Sequence, residues 1–254
     1  RERQTGLLPP EMGSSDRKGA FIIQPFFWAI NDQSDLTVYE HFMSDRGNKV
    51  GLEYRYVVDP LTRGTAMADY LNDREVDDGI GDNSEDWGYT KDNFLRPDDD
   101  RYWFRMKHDQ GLSLGFTGRI DLDIVSDQDY LTEFRSGLTG YDETRTYFLD
   151  TYGRDIDDYN DPIRLNRLNI HRNWSSFNLN AELRWYDNVI DRQEGDQDTT
   201  VQRLPFIQFN ASKQPLKSSP LYASVTNESL NGSMRESSNP YRAPVRSSCS
   251  SAQS

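Results

Sequence analysis

Apolar and polar side chains alternate with a period of two along most of this chain. One face of residues 112–124 carries Leu112, Leu114, Phe116, Ile120, Leu122 and Ile124, and the other carries Ser113, Thr117, Arg119, Asp121 and Asp123. Residues 49–57 repeat the alternation with a polar face that includes Glu53 and Arg55. Residues 177–185 repeat it with a polar face of Asn178, Asn180, Glu182 and Arg184. This period predicts β-strands rather than helices.

Eleven segments show this pattern or a weaker form of it, and none shows a convincing helical period. They are residues 4–12, 19–30, 34–44, 49–57, 61–72, 101–109, 112–124, 163–172, 177–185, 200–210 and 219–227. Strands of globular proteins most often have about 5–6 residues, whereas strands that cross a membrane need roughly 9–11. We therefore predict an all-β fold, namely an antiparallel transmembrane β-barrel segment of about eleven strands that forms an incomplete barrel.

The connections between these strands support the same interpretation. After the fifth strand they alternate in length: 73–100 is long, DQG is short, 127–162 is long, NW is short and 188–199 is long. The earlier turns NDQSD and DPL fit the short side. Bacterial outer-membrane barrels have short periplasmic turns and long external loops. The long connections are therefore expected to face the outside of the cell.

A soluble β-sandwich is the main alternative, because its strands also alternate between a core face and a wet face. Against it, the charged faces mix both signs with Asn, Ser and Thr, as the wall of a water-filled lumen would. Aromatic residues also cluster near strand ends, where they could form interfacial girdles. These clusters are Phe26, Phe27 and Trp28, then Tyr102 and Trp103, then Trp185 and Tyr186.

Composition excludes several functions and leaves others without support. The net charge of −13 argues against nucleic-acid binding, which needs clustered Lys and Arg. The only cysteine, Cys249, lies in a Ser-rich segment, so neither an internal disulfide nor a cysteine metal site is expected. The three histidines lie on different predicted strands without the spacing of a metal site. We therefore predict no cofactor, no metal and no enzymatic activity.

Two acidic features could carry chemistry. Residues 73–100 contain eleven acidic and three basic residues, which suits a solvated surface loop. Weak calcium or magnesium binding is the alternative, although the spacing does not match an EF-hand loop. Asp121 and Asp123 share a strand face and could resemble a glycosidase carboxylate pair, but such pairs are common on polar strand faces.

Pro25 lies in the middle of the apolar and aromatic strand at 19–30. A proline removes a ladder hydrogen bond, so within sheets it is confined to edges, strand starts and bulges. Pro10 lies in the same way within the predicted strand at 4–12. These two positions predict a local weakness in the pairing at the start of the sheet, or else two bulges.

The first sixty residues resemble the start of the barrel of the LptD family of lipopolysaccharide-assembly proteins. The matching elements, in order, are TGLLPP, PFFW, DLT, SDRG and EYRY, and the resemblance continues through SDQDYLTEF and RLPFIQFNASKQPL. It covers roughly residues 3–228. We expect residues 1–228 to form a partial LptD-like barrel domain and residues 229–254 to be a Ser-rich tail that is disordered or foreign to the fold.

The resemblance implies a transport function in the outer membrane of a Gram-negative bacterium. Members of the family insert lipopolysaccharide into the outer leaflet, carry an N-terminal jelly roll that receives it from periplasmic bridge proteins, and contain an LptE-like lipoprotein plug. Outer-membrane lipids would surround the barrel. The jelly roll is not recognisable here, and Cys249 alone cannot reproduce the disulfides that join the two domains in some members.

In the family the first strands border a lateral seam that prolines weaken, and Pro10 and Pro25 match those prolines. The mixed-charge faces would line the lumen; their candidate residues are Glu53, Arg55, Arg119, Asp121, Asp123, Asn178, Asn180, Glu182 and Arg184. A passive porin-like channel and a soluble saccharide-binding sandwich remain the alternatives.

Overall fold

The structure, a computed structural model, describes residues 3–75, 99–194, 203–215 and 222–230. Its main feature is one antiparallel sheet of twelve strands. The strands are β1 (Gly6–Leu7), β2 (Glu11–Ser15), β3 (Gly19–Asn31), β4 (Ser34–Met43), β5 (Gly47–Asp59), β6 (Thr62–Asn72), β7 (Asp100–Gly111), β8 (Thr117–Val125), β9 (Ile163–Asn173), β10 (Phe177–Asn188), β11 (Arg203–Pro215) and β12 (Tyr222–Leu230). From β3 onward each strand pairs with the next in sequence, and the sheet stays open. The predicted all-β, incomplete barrel segment is confirmed.

All eleven predicted strands are present, but the first is divided. Residues 4–12 form β1 and β2, which pair with opposite halves of β3: Gly6 lies opposite Phe27, and Glu11 lies opposite Ile23. Pro9 and Pro10 lie between the two short strands. Because neither proline can donate a backbone hydrogen bond, the ladder is interrupted there.

One predicted strand begins later than expected. Residues 112–116, predicted as the start of a strand, form a turn around a short 3-10 helix at Ser113–Gly115, and β8 begins at Thr117. Leu114 and Gly115 have φ values of 61° and 76°. Two consecutive residues in the left-handed region reverse the chain, so Leu112 and Leu114 do not belong to the apolar face of the strand.

The two ends of the sheet differ in their connections. The turns after β3, β5, β7 and β9 are short and lie at one end, which we call the short-turn end. The connections after β6, β8 and β10 leave from the opposite, long-loop end, together with the tight turns after β2 and β4. The predicted alternation is confirmed, and NDQSD and DPL both lie at the short-turn end. Most of the acidic segment 73–100 lies outside the described residues.

The two faces of the sheet also differ. The outward face is apolar and open to the surroundings: Trp28, Phe42, Tyr70 and Trp185 are 38–49% exposed. The opposite face, which we call the polar face, carries the charged residues of the alternation. The predicted girdle is wrong at Trp103, which lies on the polar face and is 1% exposed.

The connection between β8 and β9, residues 126–162, folds back over the polar face, and we call it the insert. It contains helices α1 (Tyr130–Glu133) and α2 (Tyr141–Tyr152), whereas a third helix, α3 (Val189–Glu194), follows β10. The expectation of no helix is therefore wrong. In α2 the buried residues Tyr141, Thr144, Phe148 and Tyr152 recur every three or four positions, and Gly153 ends the helix in the left-handed conformation.

The insert and the sheet share one hydrophobic core. The sheet contributes Met43, Met67, Leu71, Trp103 and Val125, and the insert contributes Tyr130, Leu131, Phe134, Tyr141, Phe148, Tyr152 and Ile156. Aromatic residues dominate the insert's share, and Trp103 stacks on Tyr141 with ring centroids 6.3 Å apart. The core therefore lies on the side of the sheet that the alternation marks as polar.

Candidate functional site: the polar face and its insert

Cross-strand register brings the polar side chains into rows across the sheet. One row contains Asp35, Arg55, Thr65, Lys107, Asp121, Arg167 and Arg184, each directly opposite the next. A neighbouring row contains Thr37, Glu53, Met67, Arg105 and Asp123. Acidic and basic residues are interspersed in both rows, so most charges find an opposite charge on an adjacent strand.

Glu53 and Arg55 lie on the polar face near the middle of the sheet. The Tyr39 hydroxyl donates to Glu53 Oε2 at 2.6 Å, and Arg55 Nε donates to Asp35 Oδ1 at 2.7 Å. Arg119 lies farther toward the short-turn end, 3.5 Å from Asp109. These predicted residues share one face of the sheet, as expected.

Asp121 and Asp123 lie under the insert and are almost fully buried. Asp121 accepts a hydrogen bond from Arg154 Nε at 2.9 Å and also pairs with Arg167. Asp123 accepts from Trp103 Nε1 at 2.8 Å and pairs with Arg164. Each carboxylate thus has its own set of structural donors, which explains the pair without a catalytic role.

The predicted residues of β10 are less covered. Asn178 accepts from Asn210 Nδ2 at 3.1 Å, and Asn180 accepts from Asn169 Nδ2 at 2.6 Å. Arg184 donates to Glu182 Oε2 at 2.8 Å within the same strand. These bonds link neighbouring strand positions and involve no residue of the insert.

A buried ion cluster at the long-loop end holds the first part of the insert. Arg101 donates to Asp73 (3.0 Å), Asp127 (2.6 Å) and Glu133 (2.7 Å), and Arg46 pairs with Asp73 and Glu133. All five side chains are at most 8% exposed. We call these five residues the rim cluster. Strand ends supply Asp73 and Arg101, the β4–β5 turn supplies Arg46, and the insert supplies Asp127 and Glu133.

The rim cluster contains three carboxylates and two guanidinium groups, so one negative charge is in excess. Burial raises the pKa of Glu133 to about 7, against the attraction of Arg46. Burial would also raise the pKa of Asp127, but the charge and hydrogen bonds of Arg101 outweigh it and lower that pKa. Glu133 is therefore the member whose charge depends most on pH near neutrality.

The second part of the insert is held near the middle of the sheet. Arg154 donates to Asp109 Oδ1 at 2.7 Å as well as to Asp121. Lys107 Nζ donates to the carbonyl oxygen of Asp155 at 2.8 Å, and Arg164 Nη1 donates to that of Asp158 at 2.6 Å. Charged side chains of the sheet thus bind backbone as well as side chains of the insert.

Between these anchors the insert reaches the opposite edge of the sheet. Lys49 Nζ donates to Thr139 Oγ1 at 3.1 Å, and Glu11 of β2 accepts from the backbone nitrogen of Leu138 at 3.3 Å. These anchors are not predicted by the strand alternation, which leaves residues 127–162 as an external loop. The signal that could have found them is the aromatic periodicity Tyr141, Phe148 and Tyr152, which is unusual in a solvated loop.

Pro25 lies in β3 with its backbone directed toward β1 and β2. Its carbonyl accepts from the backbone nitrogen of Leu8 at 3.0 Å. Gln24 Nε2 donates to the Leu8 carbonyl at 2.9 Å, a bond that a backbone N–H at position 25 would otherwise be placed to make. The missing donor thus affects only the edge side, while Pro25 remains opposite Tyr39 of β4. Pro10 lies in the interruption between β1 and β2.

Comparison with known proteins identifies the family. The model of LptD, described as LPS transport system D, matches residues 99–251 of this chain. The chain belongs to the LptD family. The match covers β7 to β12 and the insert, so the insert and the part of the polar face on these strands belong to the family domain.

Relatives named LPS-assembly protein LptD are similar to more than half of this chain. The protein of Pseudoalteromonas translucida is 30% identical over 145 residues, 57% of this chain and 17% of that relative. The Pseudomonas aeruginosa protein is 31% identical over 157 residues, 59% of this chain and 15% of the relative. The Pseudoalteromonas atlantica protein is 24% identical over 208 residues, 82% of this chain and 22% of the relative. The chain thus corresponds to less than a quarter of these relatives.

Neither a metal-binding group nor a membrane-spanning helix is present among the residues that the structure describes. No group of three or more His, Cys, Asp or Glu side chains is placed to hold a metal ion. No described helix has the length and apolar character needed to cross a membrane.

Proposed function

We propose that this chain is the first part of the barrel of an LptD that inserts lipopolysaccharide into the outer leaflet of a Gram-negative outer membrane, with no covalent chemistry. Membership of the LptD family supports lipopolysaccharide as the substrate. The lengths of β3 to β12, from 9 to 13 residues, and the exposed apolar outward face support placement in a membrane.

The domain boundaries and partners belong to the same proposal. The sequence-based boundary after residue 228 moves by two residues in this proposal, because β12 ends at Leu230 and pairs there with β11. Residues 1–230 are then the partial barrel domain, and the Ser-rich residues after them are the tail, although the family match continues to residue 251. In the complete protein an LptE-like lipoprotein would fill the lumen, periplasmic bridge proteins would deliver lipopolysaccharide through an N-terminal domain, and outer-membrane lipids would contact the outward face. Mixed charges on the polar face suit a saccharide path, with Arg119 and the residues of β10 as the least covered candidates.

One observation carries the transport mechanism: the weakened pairing of β3 with β1 and β2. Proline removes the backbone donor at position 25, and the Gln24 side chain supplies a substitute that can rotate away without moving the strand. The two prolines at positions 9 and 10 interrupt the outer strand at the same level. Because a backbone hydrogen bond contributes roughly 0.5–1.5 kcal/mol, these defects lower the cost of opening this edge without unfolding the sheet. The edge is therefore our candidate for one side of a lateral seam.

The test uses the complete protein in its native membrane. Pro25→Val should supply an N–H to the Leu8 carbonyl, strengthen the edge and slow lipopolysaccharide export at normal protein abundance. Pro10→Val should act in the same direction, and the double variant should be at least as slow. The measurements are lipopolysaccharide reaching the cell surface per assembled barrel and cysteine crosslinking between the first and last strands.

Pro60→Val provides the control, because Pro60 lies in the exposed turn between β5 and β6, away from the edge. Unchanged export together with unchanged crosslinking in the double variant would contradict the seam and leave both prolines as bulge formers. A passive porin-like channel would instead show altered solute flux in these variants with normal export. A soluble sandwich would keep a monomeric, folded state without detergent.

A further inference from the structure

A cleft of about 170 Å³ lies between the insert and the polar face, at the level of β4 to β7. The sheet contributes Tyr39, Glu53 and Arg105 to its lining, and the insert contributes Thr139, Glu143 and Tyr147. It lies beside the contact that Thr139 of the insert makes with Lys49, where the insert covers the sheet without filling the space above Glu53 and Met67. The cleft is therefore a product of the folded insert and could not be seen from strand alternation.

The lining offers hydrogen bonds of several kinds within a small volume. Carboxylates of Glu53 and Glu143 are acceptors, hydroxyls of Tyr39 and Tyr147 donate and accept, and the Arg105 guanidinium donates. Arg105 is 1% exposed, and its Nε has no hydrogen-bond partner among the described residues. A buried guanidinium nitrogen without a partner is unfavourable unless something else accepts its hydrogen. The terminal nitrogens of Arg105 donate to Asp69, to the Thr139 carbonyl and to Thr144, so Nε is the one nitrogen of this lining residue that the described residues leave unpaired.

Charge and shape narrow the class of ligand. Glu53 Oε2 accepts from the Tyr39 hydroxyl at 2.6 Å, and Oε1 lies 3.5 Å from Arg55 Nη1, a distance at which it can still accept a further hydrogen bond. Met67 and Leu138 give the cleft apolar wall area beside these polar groups. A ring with hydroxyl groups on its rim and C–H groups on its faces matches this combination. The charged lining residues are Glu53, Glu143 and Arg105, and the charge of Arg105 is already balanced by Asp69 at 2.6 Å. The closer partner of Arg55 is Asp35 at 2.7 Å, so the carboxylates of the lining disfavour phosphorylated or acidic sugars.

We propose that the cleft binds a single neutral or amino-substituted sugar ring of the saccharide that moves along the polar face. The proposal rests on the proposed function for the origin of that saccharide, and it adds a defined subsite formed jointly by the sheet and the insert. Glu53 and Glu143 orient the ring through its hydroxyl or amino groups, and the Arg105 guanidinium forms part of the wall.

The test is photocrosslinking in the complete protein in living cells. A benzophenone amino acid replaces Leu138, which lines the cleft and is 43% exposed, or Leu149, which lies on α2 outside the cleft lining and is 41% exposed. The two positions are matched in residue type, exposure and location on the insert. We expect a lipopolysaccharide adduct at position 138 that exceeds the adduct at position 149 several-fold.

Variants then test the chemistry of the cleft. Glu53→Gln combined with Glu143→Gln should reduce the adduct at position 138 several-fold, whereas Asp142→Asn, on the same helix outside the cleft lining, should not. Tyr147→Phe removes one hydroxyl and serves as a milder variant if the double change disturbs folding of the insert. Protease resistance of the insert reports that folding. An adduct at 138 that survives in both cleft variants with an intact insert would overturn the subsite.

The outcomes separate the subsite from transport. Equal amounts of lipopolysaccharide adduct at positions 138 and 149 would show that lipopolysaccharide passes the insert without binding in the cleft, and would overturn the subsite. No adduct at 138, with an adduct at a probe in place of Asn178 on the uncovered part of the polar face, would overturn the subsite and leave the proposed function in place. No lipopolysaccharide adduct at any of these positions would contradict both.

Discussion

The polar face has two regions that share a sequence pattern and differ in structure. In the covered region, under the insert, Lys49, Arg105, Lys107, Asp121 and Asp123 are at most 4% exposed. In the open region, on β9 to β11, side chains bond across or along neighbouring strands: Asn169 to Asn180, Arg184 to Glu182, and Asn210 to Asn178. The alternation of both regions places polar residues on one side of a sheet. Whether those residues face water or a second layer depends on the insert.

The difference in burial changes how much each charged side chain contributes to stability. A charged side chain in the covered region has lost its hydration, so its ion-pair and hydrogen-bond partners must replace the lost water. Removing one partner leaves the other charge buried and unpaired. A charge in the open region keeps part of its hydration, and its ion pair contributes little. Under the proposed function, the open region suits passage of the saccharide, and the covered region supplies a structured wall that contains the cleft.

The largest expected effect is at Arg101. Arg101→Met removes a donor shared by Asp73, Asp127 and Glu133, and breaking such a buried network costs roughly 3–5 kcal/mol. We expect the insert to detach first, because Asp127 and Glu133 hold its beginning. Protease sensitivity of the insert and urea unfolding of the detergent-solubilised complete protein measure the effect.

Arg184→Met is the matched control, because Arg184 pairs with Glu182 in the open region. Its expected cost is about 0–1 kcal/mol. Similar losses of stability in the two variants would contradict an energetic difference between the covered and open regions.

The next effect concerns pH and Glu133. Its pKa in the folded protein is about 7, above the ordinary value of 4.5, so between these values the folded state binds more protons than the unfolded state. Stability from this group is therefore highest at or below about pH 4.5 and is lost as pH rises to about 7, by about 1.4 kcal/mol for each unit of pKa difference. We expect protease resistance of the insert to fall as pH rises from 5 to 8.

Glu133→Gln should flatten this pH dependence, because an amide does not titrate. Asp127 behaves in the opposite sense: its lowered pKa gives stability that is present near neutral pH and is lost only as pH falls into the acidic range. A pH profile that is equally steep in wild type and Glu133→Gln would assign the titration to another group.

Sequence alternation predicted the sheet well because period two, strand length and turn composition all point to the same elements. It placed Glu53, Asp121 and Asn180 on one face correctly for that reason. It could not predict the insert, since α2 is polar on average and its buried residues face a partner far away in sequence. It also missed the turn at residues 112–116, where Leu112 and Leu114 continue the alternation although the backbone reverses. The hydrogen bond from the Gln24 side chain to the Leu8 carbonyl, which replaces the bond that Pro25 cannot donate, depends on side-chain placement and could not be predicted from the alternation.

The smallest expected effect compares the same substitution in both regions. Asn180 accepts from Asn169 Nδ2 at 2.6 Å, but that amide also donates to the Ala181 carbonyl at 3.3 Å and is only partly buried. After Asn180→Ala, water or the second acceptor can satisfy Asn169, so the loss of stability should be at most about 0.5–1.5 kcal/mol.

Asn166→Ala makes the identical change in the covered region. Asn166 is 0% exposed, and its Oδ1 accepts from the backbone nitrogen of Asp123 at 2.9 Å. Removing it leaves a buried backbone donor with no acceptor, which costs roughly 1–3 kcal/mol. Urea unfolding of both variants measures the difference, and an Asn180→Ala cost equal to or above that of Asn166→Ala would show that the open region is packed as tightly as the covered one.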